Sequence, residues 1–139
     1  MRIRKAKISD FNVLYKIGRS TPELKVSKNE IFMTPTDFKF AIANRNGIFL
    51  VAIEADRIIA FSYCAIEGPD YACLVYNVVL PKYRGKGIGG LLIKKREQWL
   101  KRRRIKSVYS LATNPNVARI LAHLGYKKGK TLTWMEKRL

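Results

Sequence analysis

The chain has few acidic residues, since ten Asp and Glu stand against 28 Lys and Arg, for a formal net charge of +18 at neutral pH. Most of the cations therefore have no acid with which to pair. The electrostatic field of this excess positive charge attracts anionic partners, whether nucleotides, nucleic acid, acidic proteins or membrane headgroups. The charge predicts the kind of partner and says nothing about the fold.

Histidine and cysteine are also scarce, with one His and two Cys in 139 residues. A structural zinc site needs four such ligands, so we predict no metal. Cys64 and Cys73 stand on either side of "EGPD", so a hairpin there would leave a cross-strand disulfide open as one interpretation. Free thiols are the other, and they are expected in a reducing compartment.

The sequence lacks any run of about 18 apolar residues that could span a membrane, and its first residues, "MRIRKAKISDF", do not resemble a signal sequence. We therefore predict a cytoplasmic protein without a membrane span. Hydrophobic residues make up 47% and aromatics 11% of the 139 residues. That composition predicts one folded domain over residues 1–139.

The first third of the chain predicts a strand over residues 2–7 and then a helix. Ser9 or Asp10 is expected to cap this helix, whose apolar residues follow helical spacing. Residues 21–35 are expected to be irregular. A short second helix is predicted next, capped by Thr36 or Asp37.

From Ile48 onward, three β-branched and aromatic runs separated by short turns predict three antiparallel strands. An amphipathic helix is expected next, with Ile88, Leu91, Leu92 and Trp99 on one side and cations elsewhere. The strand in "IKSVYSLAT" would run parallel to the strand before that helix. A helix capped by Asn114 and two short strands around Gly129 complete the prediction. The fold class is therefore mixed α/β (α+β), with six to seven strands and about four helices.

Four glycines and three cations occupy the turn "VVLPKYRGKGIGGLL" at residues 78–92. A glycine-rich turn between a strand and a helix allows backbone amides to converge on a phosphate. Leu91 and Leu92 stand where a nucleoside-triphosphate P-loop needs Lys and a hydroxyl, which excludes that motif. The glycine spacing also matches the dinucleotide fingerprint, but the acid expected about 20 residues later is missing. A turn that is merely tight remains the simple alternative.

The turn resembles the acetyl-CoA-binding motif of the GNAT superfamily of N-acyltransferases through Val79, Pro81 and the pattern Arg84-x-x-Gly87-x-Gly89. "IRKAKISD" is similar to that family's opening strand and helix start, and "NPNVARILAHLGY" is similar to its later helix. The resemblance covers nearly the whole chain apart from residues 20–40. It implies a sheet splayed between the fourth and fifth strands, and transfer of an acetyl group from acetyl-CoA to a primary amine by direct attack in a ternary complex.

The resemblance also implies which residues bind the cosubstrate. The main chain at the end of the fourth strand would pair with the pantetheine arm, the glycine turn would bind the pyrophosphate, and a later Asn would lie near the cofactor. These residues are Val78, Val79, Leu80, Arg84, Gly85, Lys86, Gly87, Ile88, Gly89, Gly90 and Asn114.

The proton chemistry is not assigned by the same resemblance. The family's usual Tyr general acid falls at Leu121, which also completes the apolar stripe of its helix. Tyr76, Asn77 and Tyr126 are the candidates that remain to hold a water or a thiolate, and packing is the alternative for each. No Ser, Cys or His nucleophile is required for direct attack.

Residues 94–106 contain eight cations and one acid. A solvated helix face is one interpretation. The other is a surface for RNA or a ribosome, which would make the chain a basic binding module with weak or no catalysis. The acceptor amine would belong to a small molecule or protein that is neutral or acidic overall. A monomer and a homodimer are both compatible with the sequence.

Overall fold

The computed structural model describes residues 1–25, 27, 32–112 and 114–139. In these residues five strands and four α-helices follow one another, with short 3-10 turns between some of them. The strands are β1 (Arg2–Lys5), β2 (Gly47–Glu54), β3 (Arg57–Ile66), β4 (Tyr71–Val79) and β5 (Ser107–Tyr109). The helices are α1 (Phe11–Arg19), α2 (Pro35–Ala43), α3 (Ile88–Arg102) and α4 (Pro115–His123).

The five strands form one sheet in the order β1-β2-β3-β4-β5. The first three pairings are antiparallel, and β4 and β5 are parallel. A parallel neighbour requires a crossover, which α3 supplies. The predicted antiparallel trio and the predicted parallel pair are both confirmed.

Helices cover both faces of the sheet, which explains why β2 is apolar at nearly every position. Ile48, Leu50 and Ala52 pack towards α3 and α4. Phe49 and Val51 pack towards α1 and α2. Because side chains alternate along a strand, an unbroken apolar run belongs to a strand that is buried on both sides.

A β-bulge interrupts the pairing of β3 with β4. Tyr63 lies opposite Tyr76 and Cys64 lies opposite Leu74, so Val75 is the additional residue. A bulge disrupts the ladder locally and leaves backbone groups that need other partners. It lies on the strand that the resemblance assigned to the cosubstrate.

Both cysteines are buried free thiols. Cys64 lies opposite Leu74, whereas Cys73 lies opposite Ala65, so the two are not directly facing partners in the ladder. The free-thiol interpretation is therefore the one that the structure supports.

The prediction of six to seven strands was too high, because the described residues 127–139 form no strand. The predicted strands around Gly129 are absent there. Leu132 and Trp134 remain 71% and 56% exposed. An isolated pair of short strands is unstable unless a further strand or helix covers its apolar face, and these side chains have no such cover.

The start of α2 also differs from the prediction. Its N-cap is Thr34, whose Oγ1 accepts a hydrogen bond from the Asp37 amide at 3.2 Å, and not Thr36 or Asp37. Pro35 then takes the first helical position, where its missing N–H costs nothing. At the start of α1, Asp10 does occupy the cap position, but its carboxylate binds Arg4 and the Lys7 amide and no helix amide.

Along α3 two side chains lie opposite to expectation. Leu91 is 39% exposed, whereas Arg96 is fully buried. Leu92, Arg96 and Trp99 follow one another at spacings of four and three, so they share the buried face. No helix in the described part of the chain is long and apolar enough to cross a membrane.

Candidate active site

A cavity of about 810 Å³ opens between β4, the start of α3 and α4. It follows from the short pairing of β4 with β5. That pairing joins Tyr71–Cys73 to residues 107–109, and the Ser110 hydroxyl then donates to the Leu74 carbonyl at 3.2 Å. Past this point β4 borders the cavity, and no described residue pairs with it in parallel. The predicted splay between the fourth and fifth strands is confirmed.

The glycine turn forms one end of the cavity. Gly85 and Gly87 have φ angles of +75° and +79°, a conformation that favours glycine. Gly87 is the N-cap of α3, whose first helical hydrogen bond runs from the Leu91 amide to the Gly87 carbonyl. The amides of Ile88, Gly89 and Gly90 precede that bond and carry the partial positive charge of the helix start.

The space around this turn suits a bulky anion. A Cβ added at Gly85, Gly87 or Gly90 would meet no atom within 4 Å. The glycines therefore do not serve to avoid a clash within the protein. They leave the backbone of the turn and helix start beside open space, which is the arrangement that a diphosphate group requires.

Most of the predicted cosubstrate residues border this cavity. They are Val78, Val79, Arg84, Gly85, Gly87, Ile88, Gly89, Gly90 and Asn114. Two do not: the Leu80 amide donates to the Ile59 carbonyl at 3.0 Å, and the Lys86 ammonium lies 5.6 Å from the centre of the Tyr83 ring. The Val79 carbonyl already accepts from Nε of Arg84 at 2.9 Å, so a pantetheine arm that used this carbonyl would displace Arg84.

Asn114 caps α4 as the sequence predicts. Its Oδ1 accepts from the Val117 amide at 3.0 Å, and Pro115 follows at the first helical position. Leu121, where the resemblance would place a Tyr, is 6% exposed and belongs to the core. The capping and the core assignment are therefore confirmed, and Asn114 also borders the cavity.

Of the three candidates for proton chemistry, only Asn77 borders the cavity. Its Nδ2 lies 3.4 Å from the Gly89 carbonyl at the start of α3. Tyr76 points to the opposite face of the sheet, with its ring centre 5.0 Å from that of Phe32. The Tyr126 hydroxyl donates to Glu97 at 2.7 Å, and burial together with this carboxylate raises the pKa of Tyr126.

The two thiols are poorly suited to covalent catalysis. Burial raises the pKa of Cys64 to about 11 and also raises the pKa of Cys73. A thiol must ionise to act as a nucleophile. At neutral pH both side chains therefore remain protonated and serve the core.

Arg96 and Glu23 are two of the cavity residues that the sequence predictions did not include. Arg96 borders the cavity although it is fully buried. Its burial could have been predicted from the sequence, because its position falls within the apolar stripe of α3. Glu23 is the only acid among the described residues around the cavity. It comes from the irregular segment before α2, and no local pattern indicates its position.

The described residues contain no group of three His, Cys, Asp or Glu side chains placed to hold a metal ion. The cations around the cavity are Arg84, Lys94, Arg96 and Arg119. With one acid among them, the cavity is electropositive and favours a ligand that carries phosphates.

The sequence profile of the acetyltransferase (GNAT) family matches residues 13–126. Among solved structures, a tetramutant of a Bacillus halodurans protein has 20% identity and a TM-score of 0.81, covering 99% of this chain and 100% of that one. A predicted acetyltransferase from Clostridium acetobutylicum, solved with acetyl-CoA, has 20% identity and a TM-score of 0.78, covering 99% and 95%. An aminoglycoside N-acetyltransferase in complex with CoA has 14% identity and a TM-score of 0.77, covering 99% and 100%.

At these identities the likeness concerns the fold. No curated protein is significantly similar to the chain.

Proposed function

Because this chain belongs to the acetyltransferase (GNAT) family, we propose that residues 1–139 form one N-acetyltransferase domain that moves an acetyl group from acetyl-CoA to a primary amine. The observation that carries the proposal is the glycine turn, whose open amides lie at one end of a cavity bordered by β4. The diphosphate of CoA would bind at the turn. The pantetheine arm would follow β4 into the cavity.

The chain's own residues contribute binding and orientation. The amides of Gly85, Gly87, Ile88, Gly89 and Gly90 and the side chain of Arg84 would bind the phosphates, since these residues border the cavity. Val78 and Val79 would border the path of the arm. The acceptor amine attacks the acetyl carbon of the thioester in a ternary complex. Holding both reactants in one cavity supplies much of the rate enhancement, since attack becomes effectively intramolecular.

The acceptor class follows from charge. Apart from the buried Arg96, the cavity is bordered by three cations and by one acid, Glu23. The whole chain carries a formal net charge of +18. A polycationic acceptor would be repelled, so we propose an acceptor that is neutral or acidic overall. Mass spectrometry of acetyl-CoA reactions with a panel of peptides, amino acids, polyamines and aminoglycosides tests this, and preferential acetylation of the polycations would contradict it.

Calorimetry and thermal unfolding with acetyl-CoA test the cosubstrate. At 100 times Kd, a ligand that binds only the folded state adds about 2.7 kcal/mol to the free energy of unfolding. Gly90→Glu should abolish this gain, because Gly90 borders the cavity and has room for a side chain. Gly90→Ala is the matched control and should retain it. Wild-type protein that acetyl-CoA does not stabilise would refute the proposal.

A second candidate function, a binding module for RNA or a ribosomal surface, is favoured by the far end of α3. Seven of the eight cations at positions 94–106 are exposed, and the eighth is Arg96. Two ion pairs among the described residues are Arg4–Asp10 and Arg84–Glu23, and neither includes these cations. The cluster at 101–106 lies about 20 Å along the helix from the glycine turn, given the rise of 1.5 Å per residue.

Salt dependence tests this second function. Binding of a single-stranded RNA should weaken linearly in the logarithm of salt concentration, with a slope that reports the phosphates contacted. Changing Arg102, Arg103 and Arg104 together to Gln should reduce that slope, whereas acetyl-CoA binding should not change. RNA binding that is absent, or insensitive to salt, would exclude this function.

A further inference from the structure

Arg96 is the largest fully buried side chain of the described residues. Its guanidinium donates to three carbonyls, those of Leu92 at 3.4 Å, Tyr63 at 2.8 Å and Tyr76 at 2.9 Å. It also donates to Oδ1 of Asn77 at 3.1 Å. Two of these carbonyls flank the bulge between β3 and β4, so Arg96 supplies partners that the ladder lacks there.

All four of these acceptors are neutral. Burying a charge without a counterion is costly, and burial accordingly lowers the pKa of Arg96, to about 10. The titratable groups whose charges act on it are Cys64, Tyr126, Glu97 and Cys73. Glu97 is the one carboxylate among them, and it accepts a hydrogen bond from the Tyr126 hydroxyl. Because a pKa of about 10 lies well above neutrality, Arg96 remains a cation throughout the neutral range, and its four hydrogen-bond acceptors carry no charge to offset it.

This charge lies beside the cavity, under the part of β4 that carries Asn77. Long side chains on a helix point towards its N-terminus, so Arg96 reaches back from the third turn of α3 towards the Gly89 end. Asn77 connects the two, because its Oδ1 accepts from Arg96 while its Nδ2 approaches the Gly89 carbonyl. The guanidinium and the glycine turn thus border the same cavity. Arg96 lies deeper along β4, away from the turn.

We propose that Arg96 supplies the fixed positive charge that stabilises the leaving thiolate of CoA. A Tyr proton donor is missing, because Leu121 occupies its position and cannot donate a proton. This inference rests on the proposed acetyl transfer. As the amine nitrogen forms its bond to the acetyl carbon, the C–S bond breaks and its electron pair stays on sulfur. The proton lost by the amine passes to solvent, so no protein group has to protonate the sulfur.

The field of a buried cation is strong because the surrounding dielectric constant is low. It favours the negative form of a neighbouring thiol and acts without reorganisation during the reaction. The thiol of bound CoA should therefore have a pKa at least about one unit below that of free CoA. At a pH below both pKa values, the bound thiol would then be ionised about ten times as often.

Ultraviolet absorbance of the thiolate measures this pKa on the wild-type protein saturated with CoA. A parallel titration with desulfo-CoA removes the absorbance of Tyr side chains and of Cys64 and Cys73. No acceptor amine is needed. If CoA fails to bind, the proposed function is wrong; if CoA binds and its thiol titrates as in free solution, the role of Arg96 is wrong.

Variants separate charge from packing. Asn77→Asp keeps the shape but places a carboxylate on Arg96, so the thiol pKa should return to that of free CoA. Asn77→Ala removes the contact but keeps the charge, and should retain most of the shift. Lys95→Met, an exposed cation of the same helix, is the control and should titrate as wild type.

Arg96→Met should also abolish the shift, and Arg96→Lys, which retains a cation, should preserve part of it. If Arg96→Met does not fold, Asn77→Asp still decides the matter. An unchanged thiol pKa in a folded Asn77→Asp variant would overturn the proposal and leave Arg96 with a structural role at the bulge.

Discussion

Nη1 of Arg84 lies 3.2 Å from Oε1 of Glu23, although the two residues are 61 positions apart in the sequence. The ion pair joins the glycine turn to the irregular segment that precedes α2. Both residues border the cavity, so the pair places a carboxylate beside the predicted phosphate site. Arg84 therefore has two competing anionic partners, Glu23 and the cosubstrate.

Changing Glu23 to Gln should strengthen CoA binding. The substitution removes a negative charge near the phosphates and releases Arg84, which we expect to be worth about 1 kcal/mol, or about fivefold in Kd. The free energy of unfolding should fall by less than about 1 kcal/mol, because the pair is partly exposed. Calorimetry measures both effects against Glu54→Gln, an exposed carboxylate at the end of β2; weaker or unchanged CoA binding would contradict the prediction.

The glycines of the turn should respond differently to alanine. Gly90 lies inside α3 with open space around its Cβ position, so Gly90→Ala should raise the free energy of unfolding by about 0.5–1 kcal/mol. Gly85 has a φ of +75°, so Gly85→Ala should lower it by about 1–2 kcal/mol. Urea denaturation measures both, and equal effects of the two substitutions would show that backbone conformation is not the cause.

Asn114 combines a helix cap with a place beside the cavity. Asn114→Ala should destabilise the protein by about 1 kcal/mol, because the Val117 amide loses its acceptor. Asn114→Ser retains an acceptor and should restore most of this stability. If Asn114 also contacts CoA, Asn114→Ser will still bind CoA more weakly than wild type, and calorimetry on this folded variant distinguishes the two roles.

The ion pair of Arg4 with Asp10 should make stability depend on acid pH. The Arg4 guanidinium holds the pKa of Asp10 below its usual value. Stability from this pair is therefore complete above the unfolded carboxyl pKa, about 3.9, and is lost as the pH falls through the lower folded value. Asp10→Asn should be destabilised by about 1 kcal/mol at pH 6, and the difference from wild type should shrink below about pH 4.

Asp56→Asn serves as the control, since Asp56 is exposed in the turn between β2 and β3. Denaturant unfolding at a series of pH values measures the difference. A gap between wild type and Asp10→Asn that stays constant down to pH 2 would assign the effect to packing instead of charge.

Much of the fold was predictable from local signals. The largely apolar runs of β2 to β4, the amphipathic spacing of α4 and the Asn114 cap each follow from neighbours within a few residues in sequence. The N-cap of α2, Thr34, was missed by two to three residues, because several residues that can cap a helix adjoin there. The strands around Gly129 were wrong because strand formation depends on a partner, and the partner is not a local property.

The sequence by itself determined the strand–glycine turn–helix motif, because left-handed backbone at Gly85 and Gly87 and open amides at a helix start are local consequences of glycine. It also determined the family, because the family profile matches residues 13–126 of the sequence. Only the tertiary structure decided that Glu23 meets Arg84 and that Arg96 is buried against Asn77. Those contacts join segments distant in sequence, and the burial of a charge is set by what packs around it rather than by its own residue type.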